Sequence, residues 1–402
     1  MPSKCRHNKR FGAMISQAKE SLSTTRTAWR AQLPLDDGRQ DPTRARVLDL
    51  PLELWTETLT YLRHMPSPMT SVDFQILAYP RNYNIPLEYL ERTDVLRALS
   101  QTCRRLRNVF QPLAWQQLNT CVMRNRAGSW FHTFGPSILR KSIFVQQNPE
   151  LGTFVRTMII SISLYAAGNV LPELVRALHN LPNLHTLQIF RVTKSKKMGS
   201  ALRIAFDGHV FPQIKTMGVP VYGHHILKCC PNVIRIFSYG ACPNLIGTIA
   251  KYCQRLEELY GFYNHSRYGD EKSGKRLVKA APNLRIIEFS VPAPPGRIKA
   301  LSGLKKLCTI KLNAFRCYGP SPPQPFDALK AEENVLCVKA ASALLKQSRS
   351  TDKTKTVVLE YNPWYDGSDD NDRPWSRIFD VGTGSDSWRF TDQYSWMCAK
   401  LW

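Results

Sequence analysis

The sequence lacks the features of membrane and secreted proteins. No apolar run reaches the roughly 18 residues that a bilayer-spanning helix needs. The first twenty residues contain no apolar core of about 7–15 residues, as a signal peptide would. The 11 cysteines follow no regular framework, which is typical of reduced thiols. These absences favour a protein of the cytoplasm or nucleus, without a membrane partner.

Catalytic signatures are missing as well. The chain has no G-x-S-x-G elbow and no H-E-x-x-H pair. The segment 382–385, Gly-Thr-Gly-Ser, is nearest to a phosphate loop, but it lacks the spacing and the following lysine. The acidic run 369–372 has the Gly/Ser surroundings of a solvated loop. We therefore predict no enzyme activity, no catalytic residue and no cofactor.

One cluster raises the question of a metal, namely His224-His225 followed by Cys229-Cys230. Adjacent histidines on a strand would point to opposite faces, and no C-x-x-C pair completes four ligands. Turn histidines and buried thiols are the alternative interpretation, so we predict no metal site.

Acidic residues are few relative to basic ones. The 55 Lys and Arg against 31 Asp and Glu give a formal charge of +24 and a pI near 9.7. Such a charge attracts nucleic acid, anionic lipid or an acidic protein. Residues 1–46 hold ten Lys/Arg and four Asp/Glu, which predicts a disordered basic arm. Its Lys4, Arg6, Lys9 and Arg10 form either a nuclear address, a phosphate contact or a solvated tail.

Folded structure is expected from residue 47, in a helical domain at 47–120. In LPLELWTETLTYL (50–62), Pro51 suits a first helical position, and Leu54, Trp55, Leu59 and Leu62 recur at helical spacing. Four prolines between 63 and 93 predict a loop or an inserted lobe.

A second amphipathic helix is predicted at 94–110, DVLRALSQTCRRLRNVF. Asp94 is its expected N-cap, and Pro112 its expected end. One face carries apolar side chains, opposite three arginines. The apolar positions are Leu96, Leu99, Cys103 and Leu106.

A loose repeat runs through 121–313. LPNLHTLQIF (181–190), FPQIKTMGVP (211–220) and APNLRIIEFS (281–290) align with four further copies, each with apolar residues at three fixed places, such as Leu184, Leu187 and Ile189. The copies start 29, 30, 19, 23, 28 and 23 residues apart. This rhythm is typical of leucine-rich repeats, in which one short strand per unit lines a curved solenoid and a helix returns.

Side chains between the apolar strand positions are expected on the concave face, because side chains alternate along a strand. Ser238, at an apolar position, leaves the register of its strand open to a one-residue slip. These side chains are either a substrate-binding surface or ordinary solvent-facing residues. They are Thr186, Gln188, Phe190, Arg235, Phe237, Tyr239, Glu258, Tyr260, Glu288 and Lys311.

Residues 314–402 break the repeat and form a C-terminal extension. A helix (AEENVLCVKAASALLKQ) and a strand (KTVVLEY) are predicted, followed by a loop-rich segment with five tryptophans. We expect this extension to cap the open end of the repeat, with an aromatic binding surface as the alternative.

The N-terminal pattern resembles the F-box motif. That family has Leu-Pro-x-Glu-Leu opening an apolar helix, then a helix with an apolar-x-x-Cys-Arg-x-apolar core, then a Trp. Thr58, where an aliphatic residue is usual, and the long 63–93 connector depart from it. The layout is similar to fungal F-box proteins with irregular leucine-rich repeats. The matching positions are Leu50, Pro51, Glu53, Leu54, Leu59, Leu62, Leu96, Leu99, Cys103, Arg104 and Trp115.

The resemblance implies an α/β repeat fold, with a short helical F-box-like bundle before a horseshoe solenoid. It implies a non-catalytic adaptor of an SCF-type ubiquitin ligase, which docks on a Skp-type adaptor and through it on a cullin-RING ligase, while the repeats hold a substrate protein. The implied docking residues are Leu50, Pro51, Leu54, Leu59, Leu62, Leu96, Leu99, Cys103 and Trp115. Two alternatives stay open: helices that pack only on their own repeats, and a basic scaffold that binds nucleic acid or chromatin.

Overall fold

The computed structural model describes residues 51–62, 87–121, 130–239, 242, 244–262, 271–314, 332–350, 354–361 and 375–390. The basic arm 1–46, Leu50, most of the 63–93 connector and the acidic run 369–372 lie outside the described residues. The chain divides into two compact units, 1–61 and 62–402.

In the first unit the structure describes one helix, α1 (Leu52–Thr60). It begins one residue later than predicted, at Leu52, so Pro51 is the N-cap and not the first helical residue. Proline is tolerated there too, because the N–H of an N-cap residue forms no intrahelical hydrogen bond. Leu59 is buried, with 2% of its surface exposed, whereas Leu54 is 47% exposed.

The second unit opens with a 3₁₀ turn (Leu87–Leu90), then α2 (Glu91–Thr102) and α3 (Arg104–Trp115). The prediction of one continuous helix over 94–110 is wrong. Cys103 adopts an extended conformation, φ −152° and ψ 167°, which breaks the i to i+4 hydrogen-bond ladder at that residue. Leu96 of α2 and Leu106 of α3 are both buried, so the break lets each helix bury its own apolar face.

Three boundaries in this region also differ from expectation. Asp94 is not an N-cap but lies within the first turn of α2, where it forms an ion pair with Arg97. Pro112 does not end α3, which continues to Trp115. The helical segment begins at Leu87, so the last part of the predicted connector is ordered as helix.

An 11-stranded sheet follows, with its strands in chain order. The pairs from β1 to β9 are parallel, and β10 and β11 add antiparallel strands at the far edge. The strands are β1 (Gln117–Asn119), β2 (Thr157–Ile162), β3 (Thr186–Val192), β4 (Thr216–Pro220), β5 (Arg235–Tyr239), β6 (Glu258–Phe262), β7 (Ile286–Phe289), β8 (Thr309–Asn313), β9 (Thr356–Tyr361), β10 (Trp375–Asp380) and β11 (Asp386–Phe390).

Helices occupy the connections between the parallel strands. Helices that follow one another in the chain contact each other along the sheet, which places them in one layer. A parallel crossover is almost always right-handed, so strands added in one direction put their helices on one face of the sheet. The helices are α4 (Trp130–Gln147), α5 (Pro149–Gly152), α6 (Ala167–His179), α7 (Lys196–Phe206), α8 (His224–Leu227), α9 (Leu245–Tyr252), α10 (Glu271–Ala280), α11 (Pro295–Lys299) and α12 (Glu332–Gln347).

The strand alignment predicted from the apolar positions is confirmed. Met158, Leu187 and Met217 pair in adjacent strands, and the row continues through Ile236, Leu259, Ile287, Ile310 and Val357. All these side chains are fully or almost fully buried. Ser238 pairs with Val219 and is buried too, so β5 keeps the predicted register. This apolar row and the helix layer form the core.

The sheet extends beyond the predicted repeat region on both sides. β1 lies before residue 121, and β9 continues the parallel order past residue 313. The helix and the strand predicted at the start of the extension are confirmed as α12 and β9. The hairpin of β10 and β11 pairs with β9, so it covers an edge that would otherwise expose unpaired backbone groups. Within the described residues, no helix has the length and apolarity to cross a membrane.

Candidate functional site: the outer face of the sheet

The candidate site is the sheet face opposite the helix layer, which we call the outer face. Alternation puts residues next to the buried apolar row on this face. At the start of the strands, Thr157, Thr186, Thr216 and Arg235 pair in sequence. Two residues further along each strand, Gln188, Gly218, Phe237, Tyr260, Glu288 and Lys311 occupy the same face.

All but one of the residues predicted for the concave face share this outer face. The exception is Phe190, because a bulge pairs Ile160 with Ile189 but Ser161 with Arg191. Burial divides the set. Arg235, Glu258, Tyr260 and Lys311 are partly exposed, and these four lie on β5, β6 and β8. The buried members are Thr186, Gln188, Phe190, Phe237, Tyr239 and Glu288.

The partly exposed members, the buried Glu288 and Glu360 of β9 form a connected group that we call the ion-pair network: Arg235, Glu258, Tyr260, Glu288, Lys311 and Glu360. Arg235 forms a two-pronged ion pair with Glu258, with Nη2 donating to Oε1 at 2.7 Å. The Tyr260 hydroxyl donates to Oε2 of Glu258 at 2.8 Å. Lys311 Nζ lies 3.7 Å from a Glu288 oxygen and 3.6 Å from a Glu360 oxygen.

Aromatic packing joins the two halves of the network. The rings of Phe237 and Tyr260 are stacked, with centroids 4.5 Å apart and planes 5° apart. Lys311 Nζ lies 5.5 Å from the centroid of the Tyr260 ring. A cation near a ring face is attracted by its quadrupole, so Tyr260 interacts with charges on both sides of its strand.

The pKa shifts show that the network keeps its charges. Burial opposes ionisation of Glu258, but hydrogen bonds from Arg235 and Tyr260 outweigh it and lower the pKa of this carboxyl. Burial likewise opposes the charge of Lys311, yet Glu360 and Glu288 raise its pKa. Burial and then the Glu258 charge raise the pKa of Tyr260. At neutral pH the network therefore consists of compensated charges and a protonated phenol.

A cavity of about 410 Å³ lies beside the network, at the starts of β1 to β5, and we call it the basic pocket. The sheet contributes Thr157, Thr186 and Thr216, and the ends of α2 and α3 close the other side with apolar and polar residues. Among the described residues that line it, the charged and titratable ones are Arg92, Arg156, Arg235 and His185, and none of them is a carboxylate.

Two of the pocket's arginines have no counter-charge. Within the described residues, neither Arg92 nor Arg156 forms an ion pair, whereas Arg235 is held by Glu258. Burial lowers the pKa of Arg92, since part of its guanidinium is removed from water without a carboxylate. Burial, followed by the charges of Arg156 and Lys215, lowers the pKa of His185, whose Nδ1 lies 2.9 Å from the Thr186 hydroxyl. The pocket is a site of uncompensated positive charge.

A tight contact lies on the outer face between β4 and β5. Tyr239 lies over Gly218, so close that a Cβ at Gly218 would be 2.6 Å from the tyrosine Cε2. In the neighbouring strand Gln188 is fully buried, and neither polar atom of its amide has a hydrogen-bond partner within the described part of the chain. An unsatisfied buried amide is costly, which makes Gln188 a point of stored instability on this face.

The residues implied as adaptor-docking positions are only partly exposed. Leu59 and Leu96 are buried, Pro51 and Leu54 are exposed, and Leu62, Leu99, Cys103 and Trp115 are intermediate. Trp115 stacks on Phe144 of α4, with ring centroids 5.1 Å apart, so it packs within the second unit.

The histidine and cysteine cluster is a short helix and not a strand. His224 and His225 begin α8, with ring centroids 4.1 Å apart. Burial, followed by the neighbouring His225 and Lys228, lowers the pKa of His224 to about 4. Burial raises the pKa of Cys229 to about 11 and that of Cys253 to about 12, so both are protonated thiols at neutral pH. Among the described residues no group of three or more His, Cys, Asp or Glu is placed to hold a metal ion.

The basic pocket was not predicted from the sequence, although one signal for it is present there. Three consecutive repeat copies carry threonine at the same position, Thr157, Thr186 and Thr216, directly before an apolar core residue. Arg92 and Arg156 had no such signal, because only the packing of α2 and α3 brings a helix end near the strand starts.

No protein-family model matches the sequence, and no curated protein is significantly similar to it.

Proposed function

We propose that this chain is a substrate-recognition adaptor of an SCF-type ubiquitin ligase. In this proposal the helices of 51–115 dock on a Skp-type adaptor, and an irregular leucine-rich-repeat solenoid holds a substrate protein on its outer face. The chain itself performs no chemistry. It brings a bound protein close to a ubiquitin-conjugating enzyme.

The observation that carries the proposal is the chain-order parallel sheet with its helices in a single layer. In repeat proteins of this kind each unit contacts only its neighbours, and the sheet side is left as an extended binding surface. Equivalent apolar residues of neighbouring strands pair with one another and are fully buried. This regularity supports the solenoid interpretation.

The helical segment supports the docking half of the proposal. The resemblance places an apolar helix first, and α1 carries Leu54 with 47% of its surface exposed. Tyr61 directly after α1 and Val95 on α2 are also exposed apolar residues. Burying one leucine in a partner is worth about 1.5–3 kcal/mol, so a few such residues suffice to anchor a protein.

Co-purification tests the docking. The full chain is co-expressed with the Skp-type adaptor of its source organism, and the complex is isolated on a tag. We expect a one-to-one complex that Leu54→Asp reduces by about tenfold or more, because the change places a charge in an apolar contact. Leu59→Asp is the poorer variant, since Leu59 is buried and its loss would also destabilise the chain.

A matched control uses another exposed aliphatic residue on a helix. Ile204 on α7 is 73% exposed and lies outside the F-box-like segment, so Ile204→Asp is expected to leave the complex intact. Circular dichroism at the same temperature checks that both variants are folded. A wild-type chain that captures no adaptor at all, or equal loss in both variants, contradicts the proposal.

Nucleic-acid binding is a second candidate function, favoured by the charge of +24 and by the uncompensated arginines of the basic pocket. Its affinity would fall steeply with salt, because bound phosphates release counterions. Filter binding of RNA and DNA at 50 and 200 mM salt is the test. Absent or salt-insensitive binding removes this candidate.

A further inference from the structure

We propose that the basic pocket is a binding site for a single phosphate monoester group. The inference does not depend on the docking of an adaptor, because the pocket lies wholly within the second unit and is tested by direct binding.

The charge of the lining selects the class of ligand. Arg92 and Arg156 are cations without an ion pair in the described part of the chain, and the lining contains no carboxylate that would attract a metal ion or an amine. An apolar ligand would remove these guanidinium groups from water without offering hydrogen-bond acceptors, which is unfavourable in free energy. An anion is the ligand that compensates both.

The shape of the donors favours phosphate among anions. Guanidinium groups present paired N–H donors that match two oxygens of a phosphate. The row of threonines supplies hydroxyls on a rigid sheet, and Arg235, fixed in orientation by Glu258, lines one end. A phosphate monoester has three terminal oxygens, so it can contact arginines and hydroxyls at the same time.

The size favours one phosphate with a small organic group over a polynucleotide. A volume of about 410 Å³ is at the lower end of the roughly 300–1,000 Å³ typical of small-ligand pockets. Nucleic acid, in contrast, spreads its charges along an extended surface. A compact pocket lined by two arginines that form no ion pair within the described residues fits one dianionic group.

Isothermal titration calorimetry with the full chain and inorganic phosphate, at constant ionic strength, is the first experiment. We expect saturable one-to-one binding, weakened about ten- to a hundredfold by Arg156→Gln and by Arg92→Gln, because each removes a charge-assisted hydrogen bond. Arg156→Lys keeps the charge but loses the planar fork, so we expect a smaller loss.

Arg285 provides a matched control. It directly precedes Ile286 at the start of β7, as Arg156 precedes Thr157, but it lies outside the pocket and is paired with Glu257 at 3.6 Å. Arg285→Gln is expected to leave phosphate binding unchanged. No binding of phosphate, or equal weakening by Arg156→Gln and Arg285→Gln, overturns the proposal.

Two further probes identify where the group comes from. Peptides randomised around a central phosphoserine, compared with the same peptides unphosphorylated, represent a modified side chain, and glycerol 3-phosphate represents a free metabolite. Binding of either one more tightly than inorganic phosphate, with loss in Arg156→Gln, supports the site and assigns its source. A single-stranded oligonucleotide that binds more tightly than every monoester, through the same arginines, overturns the proposal in favour of nucleic acid.

Discussion

The basic pocket and the ion-pair network lie on one face of one sheet, yet they treat charge in opposite ways. In the network, every cation has a carboxylate partner, and Lys311 has two. In the pocket, Arg92 and Arg156 have none within the described chain. The partly buried charges of the network are compensated internally, whereas in the pocket the partly exposed Arg92 and the exposed Arg156 lack such a partner within the described residues. Charges that are paired within the protein stabilise the fold. Unpaired charges in a pocket, in contrast, indicate a place where a ligand can supply the missing counter-charge.

The largest effect is expected from breaking the network at Lys311. Lys311→Met leaves Glu288, which is almost fully buried, and Glu360 without their shared cation. We expect the free energy of unfolding to fall by about 2–4 kcal/mol at pH 7, because an uncompensated buried charge is costly. Urea denaturation measures the change, and Lys275→Met, at an exposed lysine on α10, is the control. A loss below that of the control means that the network contributes no stability.

Acidification is expected to act at His224, a buried residue at the start of α8. Its pKa is about 4 in the folded chain, against about 6.5 when unfolded. Between these values the unfolded state binds the proton and the folded state does not, so stability falls as the pH is lowered from 6.5 to 4. The expected loss is about 3 kcal/mol at pH 4, measured as the shift in the urea midpoint, and His224→Asn should remove this part of the pH dependence. An unchanged slope in the variant would assign the acid sensitivity to other groups.

The tight contact between β4 and β5 is disrupted by Gly218→Ala. The new Cβ would lie 2.6 Å from Tyr239 Cε2, so the ring must move. We expect a loss of about 1–3 kcal/mol in the free energy of unfolding, as for overpacked cores. Gly168→Ala on α6 is the control, because an added Cβ there meets nothing within 4 Å, and it should be neutral or slightly stabilising. Thermal unfolding of both variants decides, and equal melting temperatures would contradict the close contact.

The smallest effect is expected from Gln188→Met, with the opposite sign. The substitution removes a buried amide without hydrogen-bond partners and keeps the size of the side chain. We expect stability to rise by about 1 kcal/mol, since no hydrogen bond is lost. A raised urea midpoint with unchanged phosphate binding would separate this residue from the pocket. Destabilisation would mean that the amide has a polar partner in the folded chain.

The register of the repeat strands was predictable because every copy has apolar residues at the same positions. These residues face the core, since side chains alternate along a strand. Leu184, Leu187 and Ile189 occupy corresponding places with Leu284, Ile287 and Phe289, and all six are buried. Even the doubtful Ser238 kept its place, since the strands on both sides fix the register of β5.

Predictions from neighbouring residues alone were wrong where tertiary packing determines the helix boundaries. Nothing in the residue types around Cys103 signals a break between α2 and α3, because both halves have good helix formers. Pro112 was predicted to end α3 but lies inside it, three residues before Trp115, which packs on Phe144. The pocket was missed for the same reason, since Arg92 and Arg156 are 64 positions apart in the chain.

The order of the strands has a consequence for how the chain is made. From β2 to β9 each strand pairs with the strand that was synthesised just before it. The open edge of the growing sheet is therefore covered by the next strand to leave the ribosome. Such a chain can assemble progressively during translation, with only one growing edge at a time. Within the described residues, the hairpin of β10 and β11 is the last part of the sheet to be synthesised, and it covers the edge of β9. A nascent chain truncated before that hairpin would retain an open edge, which makes it the form most prone to pair with a second copy.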